Sequence, residues 1–261
     1  MLEFILQGER SKFLPPNDSV VPSFLSYKEQ RSSVWSDLSN LNGTNGFIVQ
    51  ETTPSDLYLG YGIAGGCDLN KDGIVDLALG SDGFVFVVFG KNQTAWTTPL
   101  NTSNIASPIG FTINGSTTGF GWSVDCVDGN LLTGDWTASS SAGQGYLLFG
   151  KTGAWSSSFN ITTVAGTSEC TVFSMPSGTQ WKFGSVVAWI GDINADGLSD
   201  FVILANYNQD FAISAPLYLS NTGIVYVIFG SNSTTWPLSF NASDIGGSQL
   251  KGSQVNFLIA L

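Results

Sequence analysis

A chain of 261 residues with 43% apolar side chains holds enough hydrophobic material for a buried core, which excludes a disordered polymer. Its formal charge of −11 and the absence of any Lys/Arg cluster would repel a phosphate backbone, so nucleic acid is excluded as a partner. There is no histidine, and no glutamate pair is placed for acid/base work. The chain therefore lacks imidazole bases, imidazole metal ligands and Ser-His-Asp relays, and reads as a non-enzyme.

Charged residues are only 11%, aromatics reach 13%, and Gly, Ser, Thr and Asn are abundant, a mix that predicts an all-β fold with many turns. The start, Met1-Leu-Glu-Phe-Ile-Leu-Gln-Gly-Glu-Arg10, carries an acidic residue inside a short apolar run and is a poor secretory signal. No apolar run is long enough to span a bilayer. Cys67, Cys126 and Cys170 allow at most one bridge and leave an odd thiol, with no C-x-x-C pair for zinc. Acceptor sequences for N-glycosylation stand at Asn17, Asn42, Asn92, Asn101, Asn114, Asn160, Asn232 and Asn241, more than chance provides, and favour a secreted or luminal protein.

Along the chain one unit recurs. Its first trace is Phe24-Leu-Ser-Tyr-Lys28, Trp35 and Gly46-Phe-Ile-Val49, assigned with residues 1–58 to an N-terminal segment and the last strands of a preceding unit. An apolar or aromatic residue plus glycine then opens each further unit: Leu59-Gly60, Phe120-Gly121 and Phe183-Gly184, with 61 and 63 residues between the glycines. Each unit continues to a strand ending in Phe-Gly, at Val87-Val-Phe-Gly-Lys91, Leu147-Leu-Phe-Gly-Lys151 and Val227-Ile-Phe-Gly-Ser231, followed by Trp96, Trp155 or Trp236. In the first unit, strands are expected at roughly 61–66, 75–80, 84–89 and 109–114, each a Val/Ile/Phe/Leu-rich run bounded by Gly, Asn, Asp or Ser. Four antiparallel strands per repeat with aromatics at fixed phase predict β-propeller blades rather than a generic sandwich. The expected blades occupy 59–118, 119–181 and 182–261, the last with a long insertion at 205–222 and the start of a next unit. The whole is a partial propeller of about three complete blades plus a half blade. Such an arc cannot close around a filled axis, so the chain is expected to be a piece of a longer one.

Two segments carry the chemistry: Cys67-Asp-Leu-Asn-Lys-Asp-Gly-Ile-Val-Asp76 and Gly191-Asp-Ile-Asn-Ala-Asp-Gly-Leu-Ser-Asp200. Both read D-x-N-x-D-G-x-x-D, in which alternate side-chain oxygens converge on one hard cation if the chain turns sharply at the glycine. Gly73 and Gly197 supply that turn. An all-oxygen donor set favours calcium over zinc or copper. An EF-hand needs a bidentate Glu at the twelfth position, where these loops have Leu79 and Ile203, and the flanks read as strands. The competing possibility is a pair of metal-free turns capped by Asp and Asn side chains. The middle unit lacks the acidic spacing and reads as a tight hairpin at Asp128-Gly129-Asn130.

Phe183-Gly-Ser-Val-Val-Ala, the loop 191–197, Asp200-Phe-Val-Ile-Leu and Gly223-Ile-Val-Tyr-Val-Ile-Phe-Gly230 together resemble the FG-GAP repeat of integrin α-chain propellers, a likeness extending over roughly residues 24–252. The resemblance implies a seven-bladed propeller in the intact protein, with calcium loops on its lower face and ligand-binding loops on its upper face. Its calcium ligands map to Asp68, Asn70, Asp72, the Ile74 carbonyl and Asp76, and to Asp192, Asn194, Asp196, the Leu198 carbonyl and Asp200, giving two Ca2+ sites. The family's Gly-Ala-Pro element is degraded to Leu79-Gly-Ser81, Gly134-Asp-Trp136 and Leu204-Ala-Asn206. The function so implied is an extracellular or cell-surface calcium-binding module for protein–protein or adhesive contacts, taking a protein or glycan ligand on its upper loops. The alternatives are a structural extracellular repeat protein of a coat or fibril, and a non-catalytic propeller attached to a secreted hydrolase.

Overall fold

The computed structural model describes residues 38–51, 58–92, 95–175, 182–205, 224–229, 239–241 and 258–259. The chain divides into two parts, Met1–Leu41 and Asn42–Leu261. In the first, the described residues form a 3-10 turn at Leu38–Asn40, with the Leu41 amide donating to the Leu38 carbonyl at 3.2 Å. The expected strand at 24–28 and Trp35 lie outside the described residues.

The second part is all-β. Its strands are β1 Val49–Gln50, β2 Ile63–Cys67, β3 Asp76–Ser81, β4 Phe84–Val88, β5 Leu100–Asn101, β6 Gly110–Asn114, β7 Phe120–Val127 and β8 Asn130–Asp135. They continue with β9 Gln144–Phe149, β10 Ser158–Asn160, β11 Cys170–Ser174, β12 Phe183–Gly191, β13 Asp200–Ala205, β14 Ile224–Ile228, β15 Ser239–Asn241 and β16 Leu258–Ile259. The four strands expected in the first repeat are found as β2, β3, β4 and β6. They form one sheet of order β10-β6-β4-β3-β2; a second has the order β15-β11-β9-β8-β7, a third β12-β13-β14-β16, and β1 pairs with β5. None of these sheets closes on itself. Among the described residues no helix is long and apolar enough to cross a membrane.

Two expectations are corrected. The first and second sheets have five strands rather than four, because β10 lies parallel to β6 and β15 parallel to β11, as β1 does to β5. Each added strand comes from the repeat that follows and is only two or three residues long, too short for any hydrophobic period to reveal it. The second correction concerns Leu258–Ile259, which pairs antiparallel with β14 and completes the third sheet instead of opening a further unit.

The apolar runs are nearly continuous because the second sheet is covered on both faces, and its side chains alternate between two cores. Leu131 and Leu148 join Val85, Val87 and Phe111 of the first sheet. Their strand neighbours Leu132 and Leu147 join Phe183 and Phe201 of the third.

The aromatic-Gly pair marks where successive sheets touch. Gly121 and Gly184 both sit at φ +85°, at bulges that interrupt the β7–β8 and β12–β13 registers. A Cβ on Gly80 would land on the Gly121 carbonyl, and one on Gly134 on the Gly184 carbonyl, so the strands approach as closely as glycine permits. The recurring tryptophan has an equally plain role. Trp96 stacks on Phe47 at 4.3 Å and Trp155 on Phe111 at 4.4 Å, each lying on the preceding repeat's Gly-Phe segment. The lysine of Phe-Gly-Lys covers the indole in both cases, Lys91 at 4.5 Å and Lys151 at 4.7 Å.

Candidate metal loops

The two D-x-N-x-D-G-x-x-D segments connect β2 to β3 and β12 to β13, the same junction in two sheets. Both turn through the left-handed region at the same two positions: Lys71 (φ 57°) and Gly73 (φ 87°), then Ala195 (φ 60°) and Gly197 (φ 87°).

Their hydrogen bonds also correspond. Asp68 accepts from the Asp72 and Gly73 amides at 2.9 and 2.8 Å, and Asp192 from the Asp196 and Gly197 amides at 3.0 and 2.7 Å. Asn70 accepts from Asp72 N and donates its side-chain amide to Asp72 Oδ2; Asn194 does both with Asp196. Asp72 and Asp196 accept from the Ile74 and Leu198 amides at 2.8 and 2.9 Å. In both loops the acidic and amide side chains thus cap the loop's own amides, in the manner of capped turns. Among the described residues no three His, Cys, Asp or Glu side chains are gathered closely enough to hold a metal ion.

The closing aspartates differ from the others by being buried. Asp76 is 3% exposed and Asp200 fully buried. Asp76 accepts from the Leu69 amide at 2.8 Å and from the Gly90 amide at 2.9 Å, so it pins the loop to the glycine of Phe89-Gly90. Asp200 accepts from the Ile193 amide at 2.9 Å. Burial pushes the Asp76 carboxyl up from its ordinary 3.8; the Gly90 and Leu69 amides oppose that, and the charges of Asp68 and Asp72 reinforce it. Three carboxylates therefore share one junction with no ion pair to a Lys or Arg side chain among the described residues. Their oxygens keep lone pairs beyond those given to amides and are the donor type a hard divalent cation takes, but the three side chains are not gathered around one point.

The pinning role was not legible in sequence, yet it had a signal. In the middle sheet the corresponding first residue of the second strand is Asn130, and it accepts from the Gly150 amide of Phe149-Gly150 at 3.3 Å. Asp128 (φ 52°) and Gly129 (φ 74°) form the short turn there, where the sequence places a tight hairpin without a metal loop.

The loops differ in their surroundings. In the first, the Leu69 carbonyl accepts from the Lys151 amide at 2.9 Å and from Trp155 Nε1 at 3.2 Å, both from the second sheet's repeat. Cys67, immediately before Asp68, is disulfide-bonded to Cys126 on β7, with a Cα separation of 5.0 Å. Leu69 is consequently 0% exposed, whereas Ile193 at the same position of the other loop is 55% exposed. Cys170 is the free, buried thiol, as cysteine arithmetic requires.

At the opposite strand ends, the residue after the opening glycine forms an aromatic row. Tyr61 stacks on Trp122 at 4.4 Å, flanked by Tyr58 at 5.2 Å and Trp136 at 5.4 Å, with Lys182 Nζ 4.7 Å above Trp136. Trp122 Nε1 donates to Asp82 at 3.3 Å, while Trp136 Nε1 is buried with no hydrogen-bond partner among the described residues.

Of the acceptor asparagines, Asn42 and Asn92 are exposed, and Asn101, Asn114 and Asn160 half-buried. Asn114 donates its side-chain amide to the Phe159 carbonyl at 3.1 Å. Asn160 caps the helical turn Ile161–Val164, accepting from Thr162 N at 3.0 Å and Thr162 Oγ1 at 2.7 Å. Asn241 ends β15. Asn17 and Asn232 lie outside the described residues.

No known family matches the chain, and no curated protein matches it either.

Proposed function

We propose that this chain is a calcium-binding β-propeller module of the integrin α-chain type, acting outside the cell as a binding or adhesive surface rather than as a catalyst. The observation that carries the reading is one hydrogen-bonded loop repeated position for position at the same junction of two sheets. A metal-free turn needs no such acidic set, and the buried charge of Asp76 gains from a cation. Blades are supported by four-stranded antiparallel meanders whose first strands and aromatic-Gly bulges meet in series. The residues 59–118, 119–181 and 182–261 are assigned to those blades, preceded by the last strands of another, with further blades in the intact protein.

Asp68, Asn70, Asp72, Asp76 and the Ile74 carbonyl would hold one calcium; Asp192, Asn194, Asp196, Asp200 and the Leu198 carbonyl would hold the second. The aromatic row from Tyr58 to Trp136 is the surface offered to a protein or glycan ligand. A structural role in a coat or fibril, or attachment to a secreted hydrolase, would use the same calcium-stiffened scaffold.

A second reading has its own observation: both loops are already closed by their own amides, which is what capped turns without metal would look like. Calorimetry separates the two. The full chain should bind calcium at two sites with Kd of ~10⁻⁴ to 10⁻³ M and melt at a higher temperature when loaded. Asp72→Ala combined with Asp196→Ala should abolish both responses. An unchanged response in that variant, or no heat with calcium in the native chain, would establish the metal-free reading instead.

A further inference from the structure

We infer that the aromatic row at the strand ends opposite the acidic loops binds the neutral hexose rings of a glycan, with Tyr61 and Trp122 as its stacking surface and Asp82 and Lys182 as its polar groups. The inference rests on the binding-module reading above and narrows the ligand from protein or glycan to glycan.

The row is assembled across three sheets. Tyr61 precedes β2 and Asp82 lies in the turn between β3 and β4; Trp122 is on β7, Trp136 follows β8, and Lys182 precedes β12. Its centre therefore spans two sheet junctions rather than a free edge of the fold. Trp122 stacks on Tyr61 at 4.4 Å, meets Trp136 edge-on at 5.4 Å and donates Nε1 to Asp82 at 3.3 Å. These contacts hold the indole in place, so little side-chain freedom is left to lose when a ligand arrives. The rings are nevertheless not covered: Tyr58 is 57% and Tyr61 45% exposed, and Trp122 and Trp136 are half-buried. Contiguous exposed rings of this kind mark a binding surface.

The occupant follows from what the row offers. A pyranose carries C–H groups on its faces, which pack on aromatic rings, and hydroxyls around its rim, each able to donate and to accept. One hydroxyl can donate to Asp82, whose carboxylate has acceptor capacity beyond the Trp122 N–H, and another can accept from the Lys182 ammonium 4.7 Å above Trp136. Trp136 Nε1, buried with no hydrogen-bond partner among the described residues, is a further donor that a bound hydroxyl would satisfy through a bridging water. Charged ligands fit less well. An anion meets Asp82 and a cation meets Lys182, and the formal charge of −11 repels polyanions at longer range. An apolar peptide laid on the rings would strip water from Asp82 and Lys182 and return no hydrogen bond.

The test passes the full chain over an immobilised panel of neutral glycans ending in glucose, galactose, mannose or N-acetylhexosamine. Sialylated and sulfated glycans and acidic and basic peptides serve as comparisons, and each run is made in calcium and in chelator. The expected result is retention by a neutral glycan that weakens about tenfold in Tyr61→Ala and about tenfold in Asp82→Asn. Tyr61 is exposed and Asp82→Asn keeps an oxygen for the Trp122 indole, so both variants should melt like the parent. Retention undiminished in both variants places the glycan elsewhere and overturns the inference. Retention by charged glycans or by peptides alone also overturns it, while the binding-module reading stands with a different ligand. Calcium binding without retention by any neutral glycan overturns the inference and leaves the calcium reading intact. Variant-sensitive retention by a neutral glycan without any calcium binding supports the inference and removes calcium from the function.

Discussion

The loops of the first and third sheets share a sequence pattern, a left-handed backbone at two matched positions and a matched set of side-chain-to-amide hydrogen bonds. They part at the second residue, where Leu69 is buried and Ile193 is 55% exposed. The difference lies in what packs on the loop, since the next repeat's tryptophan, lysine amide and half-cystine all meet the first one. A short polar pattern is therefore enough to set the conformation of a turn, while its burial comes from residues some 60 to 90 positions away, such as Cys126 and Trp155, respectively 59 and 86 residues from their partners.

The largest blow to that comparison is Phe111→Ala. Phe111 is fully buried and stacks on Trp155, so its removal takes away the platform under the indole that donates to the Leu69 carbonyl. A loss of ~3–5 kcal/mol is expected from the cavity alone, read by chemical denaturation. A loss below ~1 kcal/mol would mean that the first and second sheets are not joined through this stack.

Truncating the differing residue itself comes next. Leu69→Ala should cost ~2–5 kcal/mol as a core deletion, whereas Ile193→Ala, at an exposed position, should stay within ~0.5 kcal/mol. Denaturation midpoints of the two variants give the comparison directly. Equal costs would mean that the third-sheet loop is as well covered as the first.

Much of this was legible in the sequence, and the limits have physical causes. The strands β2, β3, β4 and β6 fell close to the Val/Ile/Phe/Leu-rich runs bounded by Gly, Asn, Asp or Ser, because the backbone bulges or turns at those residues. The loops at 68–76 and 192–200 were legible because acceptor side chains at alternate positions leave little freedom to the amides between them. The parallel strands β5, β10 and β15 were not, since two or three residues carry no period. Nor was the pairing of Cys67 with Cys126, because three cysteines allow any of three bridges and only the packing of β2 beside β7 selects one. The dual use of Asp76 was hidden for a similar reason: its partner Gly90 lies 14 residues on, across a hairpin.

The smallest expected effect is the most discriminating. Asp76 pins the loop to Gly90 and is also one of the proposed calcium ligands, and Asn130 shows that the pin alone is served by a neutral amide oxygen holding Gly150. In Asp76→Asn, one side-chain oxygen remains for the Gly90 amide. The other becomes an NH2 group facing the Leu69 amide, so one hydrogen bond is lost, worth ~1 kcal/mol. Against this, a buried carboxylate that burial already disfavours in its charged form is removed, and repulsion from Asp68 and Asp72 goes with it. The two terms oppose each other, and without calcium the variant should stay within ~1 kcal/mol of the parent. With calcium the parent should gain stability at both loops and the variant at the third-sheet loop alone, because the first has lost a charged ligand while keeping its shape. Melting temperatures with and without calcium measure both quantities. A variant that unfolds without calcium would show that the charge, not the pin, holds the first loop; one that gains as much from calcium as the parent would remove Asp76 from the metal set.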